Sequence, residues 1–432
     1  MAHDQQIAAP ATGARDPVRV TGSLALAAGL LLIALNLRIG VAAVGPVLGD
    51  IRASTGLPAA GASLLTTIPV LAFGGFAFVI PGLIARLGMY RVLGVAMAVL
   101  AIGVVIRLLA GPVPLFGGTV LIGAAIAVAN VLLPAVIKQD FAGRTALMMG
   151  LYTTALYAGA SLAAGLTVPL VGWTGGHWRP AMALWAIPAA AAFVVWLPWA
   201  RRSAGRRGAA GKAGTAGASP GAQPGAGEPS LRALVRDRTA LAVMIFMGVQ
   251  SLGYYATLTW IPTLLQNAGL SAHQAGWMVS YSSFAAIAAA LTIPTLGRRL
   301  RPSWTTAAIT VALPAGAYLG LIVAPAGPVY LWMTLLGLGQ GAGISLALSY
   351  IVWRSPDTRH TAHLSTMAQG FGYLLASLGP IGFGVLHSAT GGWTWPLIAL
   401  LALLAVQLGA GAAASRDRPV PAPRVSGGPR PG

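Results

Sequence analysis

The sequence predicts an all-α integral membrane protein whose twelve transmembrane helices form two six-helix parallel repeats. Three observations predict this class. Charged residues make up only 8% of the 432-residue chain, long charge-free apolar windows follow one another along it, and segments of the first half recur in the second. Because a soluble domain carries about 25% charged residues, most of the folded surface must lie in lipid.

The length of the apolar windows sets the number of spans. About 20 apolar residues cross the hydrocarbon core as a helix, and the longest windows are divided by turn signals such as Ala-Pro-Ala-Gly-Pro at 324–328. The predicted spans lie near residues 21–47, 60–85, 89–110, 114–137, 145–170, 178–200, 239–262, 273–297, 303–323, 328–353, 361–386 and 393–414.

Two segments outside the spans divide the chain into domains. Residues 201–236 are rich in Gly, Ala, Ser and Pro, and they cannot bury enough apolar area to order themselves. We expect them to form a flexible cytoplasmic linker between an N-terminal bundle, residues 1–200, and a C-terminal bundle, residues 237–415. Residues 416–432, rich in Pro, Arg and Gly, are predicted to form a disordered cytoplasmic tail.

The distribution of basic residues predicts the orientation, because cytoplasmic loops carry an excess of Lys and Arg. With the N-terminus inside, all but four of the 27 Lys and Arg residues are cytoplasmic; the exceptions are Arg38, Arg52, Arg107 and Arg179. We therefore expect a multi-pass protein of the cytoplasmic membrane with both termini in the cytoplasm. The net charge of +19 does not indicate nucleic-acid binding, since the basic residues form short clusters without an aromatic face.

An internal repeat runs through the chain at a nearly constant offset. Residues 80–87 recur as 293–300, and further along Tyr157 matches Tyr373 and Lys138 matches Arg354. Each half holds an even number of spans, so the halves are predicted to be related by an axis along the membrane normal. Such an arrangement places a binding site near the midplane, between the halves.

Arg38 is the strongest candidate for a functional residue. It is the only Lys, Arg, Asp or Glu well inside a predicted span, about 17 residues from the start of the first. Ionisable groups in the membrane are costly and mark functional sites by default. The alternative is a structural arginine that snorkels outward, which works best near helix ends.

Uncharged polar residues recur at similar depth in symmetry-related spans. Asn36, Asn130, Gln250 and Gln340 lie near the middle of the first and fourth spans of each half. Amides are not left unpaired in hydrocarbon, so we expect the four to face a wet cavity; for any one of them a contact between helices is as good an interpretation.

Helical stripes on two further spans add tyrosine and glutamine. Tyr157 lies on one face of the fifth span, Gln369 and Tyr373 lie on one face of the eleventh, and Tyr254 follows Gln250 by one turn. Such stripes more often serve packing than binding.

The missing residue types restrict the chemistry. No carboxylate or His lies near the middle of a predicted span, and the chain has no Cys. We therefore expect no catalytic residue, no metal site and no cofactor, and an enzyme is not favoured. A cationic substrate would meet an arginine without a compensating acid, whereas a small anion fits.

The sequence also resembles a known transporter family. Residues 34–38, Ala-Leu-Asn-Leu-Arg, the segment GAAIAVANVLLPAVIKQDF at 123–141, and 149–153 are similar to the cyanate/nitroimidazole (CynX/NimT) family of the major facilitator superfamily, over nearly all of 21–415. In the loop after the second span, Arg86 and Gly88 match the superfamily pattern, but Ala85 replaces its acid. The resemblance implies the major facilitator fold, with two halves that rock to alternate access. It places Asn36, Arg38 and Asn130 at the cavity. Lys138 and Asp140 also match the family motif, and their cytoplasmic position predicts a role in gating or anchoring.

Together these observations predict a monomeric secondary transporter that moves a small anionic or weakly acidic solute, cyanate-like or nitroimidazole-like, across the cytoplasmic membrane by alternating access. The alternatives are a multidrug-type exporter of neutral hydrophobic compounds, in which Arg38 is structural, and a sensor or scaffold that transports nothing. The direction of transport and the coupling ion stay open. The predicted substrate-binding residues are Arg38, Asn36, Asn130, Gln250, Tyr254, Gln340, Tyr157, Tyr373 and Gln369, and the predicted gating residues are Arg86, Lys138, Asp140, Arg298 and Arg354.

Overall fold

The computed structural model describes residues 24–57, 59–213, 234–299 and 304–416, and all regular elements within these ranges are helical. Eleven helices are long and apolar enough to cross a membrane, and a further pair, bent by 58° at a short break, makes the twelfth. The prediction of an all-α protein with twelve spans is confirmed. We number the helices span 1 to span 12.

The N-terminal half contains spans 1 to 6. They comprise Leu24–Ala42 with the 3-10 turn Gly45–Val47 and Leu48–Thr55 (span 1), Ala59–Ala77 with Ile80–Leu87 (span 2, the bent pair), Met89–Ile106 (span 3), Pro112–Asp140 (span 4), Thr145–Trp173 (span 5, after the 3-10 turn Ala142–Arg144), and Trp178–Ala183 with Ala186–Ala213 (span 6).

The C-terminal half contains spans 7 to 12. They comprise Arg238–Asn267 (span 7), Ala272–Arg299 (span 8), Trp304–Val323 (span 9), Val329–Trp353 (span 10), Thr358–Ala376 with Leu378–Thr390 (span 11) and Thr394–Ser415 (span 12).

Span 6 is longer than the sequence predicts. Its helix continues to Ala213, into the segment expected to be a linker from residue 201. Ala, Arg and Lys are strong helix formers, so the helix continues past the apolar window. The remainder of the expected linker, 214–233, and the expected tail beyond Arg416 lie outside the described residues.

The two halves meet along symmetry-related pairs of spans. Span 5 packs against span 8, and span 2 packs against span 11, as parallel repeats require. Both contacts are close because small residues line them. A Cβ added at Gly150 of span 5 would lie 3.2 Å from the carbonyl oxygen of Ala290, and one at Gly74 of span 2 would lie 2.6 Å from the Leu374 side chain.

The buried apolar side chains show that the halves are joined at one end only. One large core combines both halves near the last turns of spans 4 and 10, which we call the closed end; it includes Val136 and Ile351. Toward the last turns of spans 1 and 7, the open end, each half has its own core, with Val47 in one and Leu264 in the other. We infer from this division a cleft between the halves that narrows toward the closed end.

Candidate substrate-binding site

Arg38 of span 1 lies where the two halves meet. Its Nη1 donates a hydrogen bond of 2.9 Å to the hydroxyl of Tyr255 on span 7. The centre of the guanidinium lies 5.4 Å from the ring centroid of Tyr254 and 5.9 Å from that of Tyr255. A cation over an aromatic face gains about 0.5–2 kcal/mol, with the larger values at desolvated sites. The charge is thus held by aromatic groups of the opposite half.

Four tyrosines surround the arginine in an edge-to-face chain. The ring centroids of Tyr157 and Tyr254 lie 6.3 Å apart, those of Tyr254 and Tyr255 5.1 Å apart, and those of Tyr255 and Tyr373 6.5 Å apart. Spans 5, 7 and 11 contribute these rings, so the chain crosses from one half to the other. We call the four residues the tyrosine cluster.

The guanidinium of Arg38 keeps free hydrogen-bonding capacity. An arginine has five N–H donors, and in the described part of the chain Arg38 makes only the bond to Tyr255 and has no carboxylate within ion-pair distance. The side chain is half-buried. It lines a void of about 10 Å³ with Tyr157 and Tyr254, roughly the space for one water molecule. The site therefore offers a positive charge and unused donors.

A second void adjoins the first on the side of the C-terminal half. It measures about 20 Å³, and Tyr157 and Tyr254 line it too. Its polar lining also includes Thr257 of span 7, Ser282 and Ser283 of span 8, and Gln340 of span 10. Tyr157 and Tyr254 line both voids, so the second void lies beside the first on the side of span 8.

The four amides do not face one cavity. Asn36 lies two residues before Arg38, which places it about 200° around the helix. Its Nδ2 donates to the carbonyl oxygens of Leu32, at 2.8 Å, and of Pro188 on span 6, at 3.0 Å. The expectation of a shared cavity is therefore wrong for Asn36, which joins span 1 to span 6.

Gln369 links the two halves through its side-chain amide, whereas the side-chain amide of Asn130 bonds within its own half. The Asn130 side chain accepts a hydrogen bond of 3.2 Å from the Tyr152 hydroxyl, and the Asn130 carbonyl accepts one of 2.8 Å from Nε2 of Gln369. Gln369 also donates to the Ser365 hydroxyl at 2.7 Å, while its Oε1 is buried without a partner. These residues lie on the closed-end side of the tyrosine cluster, at the contact of spans 4 and 11.

Gln250 and Gln340 lie inside the C-terminal half. Gln340 donates from Nε2 to the Thr257 hydroxyl at 2.6 Å and lines the second void. Gln250 lines a third void, of about 20 Å³, with Gln340 and with Gln407 of span 12. Gln340 therefore lines the void beside the tyrosine cluster, whereas Gln250 lines only the third void, deeper in the C-terminal half.

Several residues of the site are missing from the sequence-based prediction. Tyr255 is one, and its only signal in the sequence is that it follows Tyr254. Ser282 and Ser283 carry no signal, because serine is common in membrane helices as a helix-packing residue. Arg107, expected on the outer side, is the C-cap residue of span 3. Its side chain is only 2% exposed and donates to the Gly40 carbonyl at 3.0 Å. Arg38 is thus not the only arginine buried between spans.

At the closed end, Lys138 joins the halves. Its Nζ donates to the carbonyl oxygen of Val352, at 2.8 Å, and to that of Ser355. These carbonyls lie at the C-terminus of span 10, where the helix dipole favours a cation. Lys138 thus ties span 4 of one half to span 10 of the other, and we call this contact the latch.

Of the other predicted gating residues, Arg354 and Asp140 contact residues of their own half. Arg354 donates from Nε and Nη2 to the carbonyls of Ala414 and Ser415, at 2.8 and 2.9 Å, in span 12. Asp140 accepts from the Tyr90 hydroxyl at 2.7 Å. Arg86 is exposed at the end of span 2, and the side chain of Arg298, in span 8, lies outside the described residues.

A carboxyl group beside the latch caps span 11. Asp357 accepts hydrogen bonds from the backbone N–H of His360, at 2.9 Å, and from its Nδ1, at 2.7 Å. Partial burial works against ionisation of Asp357, but these bonds outweigh it, so the pKa of the carboxyl lies below its usual value. The cap is therefore strongest when Asp357 is ionised.

Known proteins resemble this chain along most of its length. The model of the Major Facilitator Superfamily matches residues 26–380. The chain is 37% identical to the uncharacterized transporter YycB of Bacillus subtilis (strain 168), over 91% of this chain and 94% of that protein. It is 34% identical to the 2-nitroimidazole transporter of Escherichia coli (strain K12), over 92% and 97%. Its identity to the cyanate transport protein CynX of the same organism is 28%, over 88% and 95%.

The fold has solved counterparts as well. The proton:xylose symporter XylE superimposes with a TM-score of 0.67 at 13% identity, over 90% of this chain and 94% of that one. This likeness concerns the fold alone. It confirms the predicted fold. The relatives above confirm the resemblance to the cyanate/nitroimidazole transporters that the sequence predicts. The superfamily is a class of membrane transporters for small molecules, and it is not a class of enzymes.

Proposed function

This chain belongs to the major facilitator superfamily, in the group of the cyanate and 2-nitroimidazole transporters, and we propose that it moves a small anionic or weakly acidic solute by alternating access. Two of its relatives are named for solutes of this size and polarity. We propose the cytoplasmic membrane as its location, with both termini inside.

One observation carries the proposal, and it is the environment of Arg38. Its charge has no carboxylate partner in the described residues, and its unused donors face a void between the halves. Two like charges at 4 Å repel by about 4 kcal/mol at an effective dielectric constant of 20. An anion is attracted by as much, so the charge selects anions and rejects cations.

The cleft supports alternating access around this site. The latch and the shared core hold the halves together at the closed end, while the separate cores leave them parted at the open end. If the termini are cytoplasmic, as the basic residues indicate, the conformation faces outward. Opening toward the cytoplasm then requires the latch to break and the open end to close over the solute.

The test is uptake of labelled anions and weak acids, cyanate and 2-nitroimidazole among them, by proteoliposomes. We expect Arg38→Ala to abolish uptake of the transported anion and Arg38→Lys to retain part of it, because lysine keeps the charge but not the planar fork. Arg52→Ala is the matched control, since Arg52 is an exposed arginine of the same span. Uptake of an anion at the wild-type rate by Arg38→Ala contradicts the proposal. Movement of neutral lipophilic compounds alone would favour the multidrug-type exporter instead.

A further inference from the structure

Arg38 and the residues that face it across the cleft differ in whether they donate or accept hydrogen bonds. Arg38, on the N-terminal half, can only donate. Gln340, Ser282 and Ser283, which line the second void on the C-terminal half, offer acceptors. We propose that the site takes an anion that also carries an N–H or O–H donor, with Arg38 binding the anionic group and Gln340, Ser282 and Ser283 accepting from the donor. This inference rests on the proposed function, because it takes Arg38 as the anion contact.

The orientation of Gln340 follows from the backbone of span 7. The Thr257 hydroxyl donates to the carbonyl oxygens of Gly253, at 2.8 Å, and of Tyr254, at 3.0 Å. Its hydrogen is thus committed, and toward Gln340 it can only accept. The bond of 2.6 Å therefore comes from Nε2 of Gln340, which leaves Oε1 of that amide as an acceptor without a partner in the described residues.

The hydroxyl hydrogens of the two serines of span 8 are also donated to the backbone of their own helix. Both Ser282 and Ser283 donate to the carbonyl oxygen of Val279, at 2.7 and 3.3 Å. Their hydrogens point back along the helix, so only the lone pairs of their oxygens remain for the void they line. Together with Oε1 of Gln340, the residues that line the second void carry three oxygens free to accept, beside the hydroxyls of Tyr157 and Tyr254, and the lining contains no positive charge.

These three acceptors distinguish ligands by whether the ligand supplies hydrogen-bond donors for them. A ligand that places an N–H or O–H among the acceptors satisfies them. A ligand with a methyl group there leaves buried acceptors without a partner, which weakens its binding. The acceptors also have a mechanical consequence. A donor-bearing anion contacts span 1 through Arg38 and spans 8 and 10 through the acceptors, so it ties the two halves together across the cleft.

The experiment compares matched anions on the purified full-length protein by calorimetry. One pair is para-hydroxybenzoate and para-methoxybenzoate, and the other is imidazole carboxylate and its N-methyl derivative. In each pair only the donor is removed. We expect wild type to bind the donor-bearing member about three- to tenfold more tightly. The double variant Ser282→Ala/Ser283→Ala should lose this preference by weakening for the donor-bearing member alone.

Ser280→Ala is the matched control. It is a serine of the same helix that bonds its own backbone, at Gly276, and does not line the void. Equal binding of both members by wild type overturns the inference, and so does a double variant that weakens equally for both or keeps the preference. Binding of neither member also overturns it. The proposed function fails separately, if Arg38→Ala binds the anions as tightly as wild type.

Discussion

Replacing Lys138 is expected to open the closed end. Its ammonium donates hydrogen bonds to two carbonyls at the C-terminal end of span 10, and these bonds join the two halves at that end. Hydrogen bonds to charged groups contribute about 1.5–3 kcal/mol each. Because Lys138 is half-buried, water can replace part of the lost hydrogen bonding. We therefore expect the substitution to destabilise the closed-end contact by about 1–2 kcal/mol, which shifts the equilibrium between the two conformations roughly five- to thirtyfold.

The assay is distance measurement between spin labels, and the chain suits it because it contains no Cys. One pair, Ala142→Cys with Pro356→Cys, reports on the closed end, and the other, Ala53→Cys with Gln266→Cys, reports on the open end; all four positions are exposed. Lys138→Met should lengthen the first distance and shorten the second.

The matched control for the latch is Arg144→Met, which removes an exposed cation at the same end. We expect it to leave both distances at their wild-type values. Unchanged distances in Lys138→Met, or an equal change in the control, would refute the latch, since the effect would then be absent or due to charge alone.

Three further predictions follow from single contacts. Tyr255→Phe removes the acceptor of Arg38 and frees a donor, so we expect a changed KM for the anion with an unchanged melting temperature, measured by uptake and thermal unfolding. Gly150→Val forces a side chain against a carbonyl of span 8 and should lower the melting temperature, whereas Gly165→Val, at an open position of the same span, should lower it much less. Asp357 has a lowered pKa, so its cap stabilises the fold at neutral pH and is lost as the pH falls through that pKa; the difference in melting temperature between wild type and Asp357→Asn should be full at pH 7 and shrink as the pH falls below the usual range of a carboxyl group.

The fold is predictable from the sequence because lipid imposes a strong constraint on it. A window of about 20 apolar residues has few alternatives to a membrane helix, and the recurrence of residues 80–87 as 293–300 reveals the two halves without any knowledge of their packing. The span that differs most, span 6, does so where apolar composition ends and helix propensity continues.

The site is less predictable from the sequence. The position of a residue along its helix follows from the sequence, but the neighbour toward which its side chain points depends on how the helices pack. Arg38 is found by its charge alone. Asn36 lies at nearly the same depth but faces span 6, and Tyr255 meets Arg38 only because the facing helix is rotated to bring it there. The burial of Arg107 is not visible in the sequence, because the end of an apolar window does not show whether a neighbouring helix covers it.

The repeat explains why Lys138 and Arg354 are alike in sequence and differ in role. Each is a cation at the end of a fourth span, and each donates to carbonyls at the end of another helix. Arg354 caps span 12 in its own half, whereas Lys138 crosses to the opposite half. Removing the Arg354 contact, which lies within one half, is expected to leave buried carbonyls of span 12 unpaired in both conformations. Breaking the Lys138 contact affects only the conformation in which the closed end is shut.

Arg354→Met should therefore lower the melting temperature and leave the label distances near their wild-type values, while Lys138→Met should show the reverse pattern. The same two label pairs and a thermal unfolding curve measure both variants. If Arg354→Met opens the closed end as Lys138→Met does, the two cations act as one gate, and the assignment of the latch to Lys138 alone is wrong.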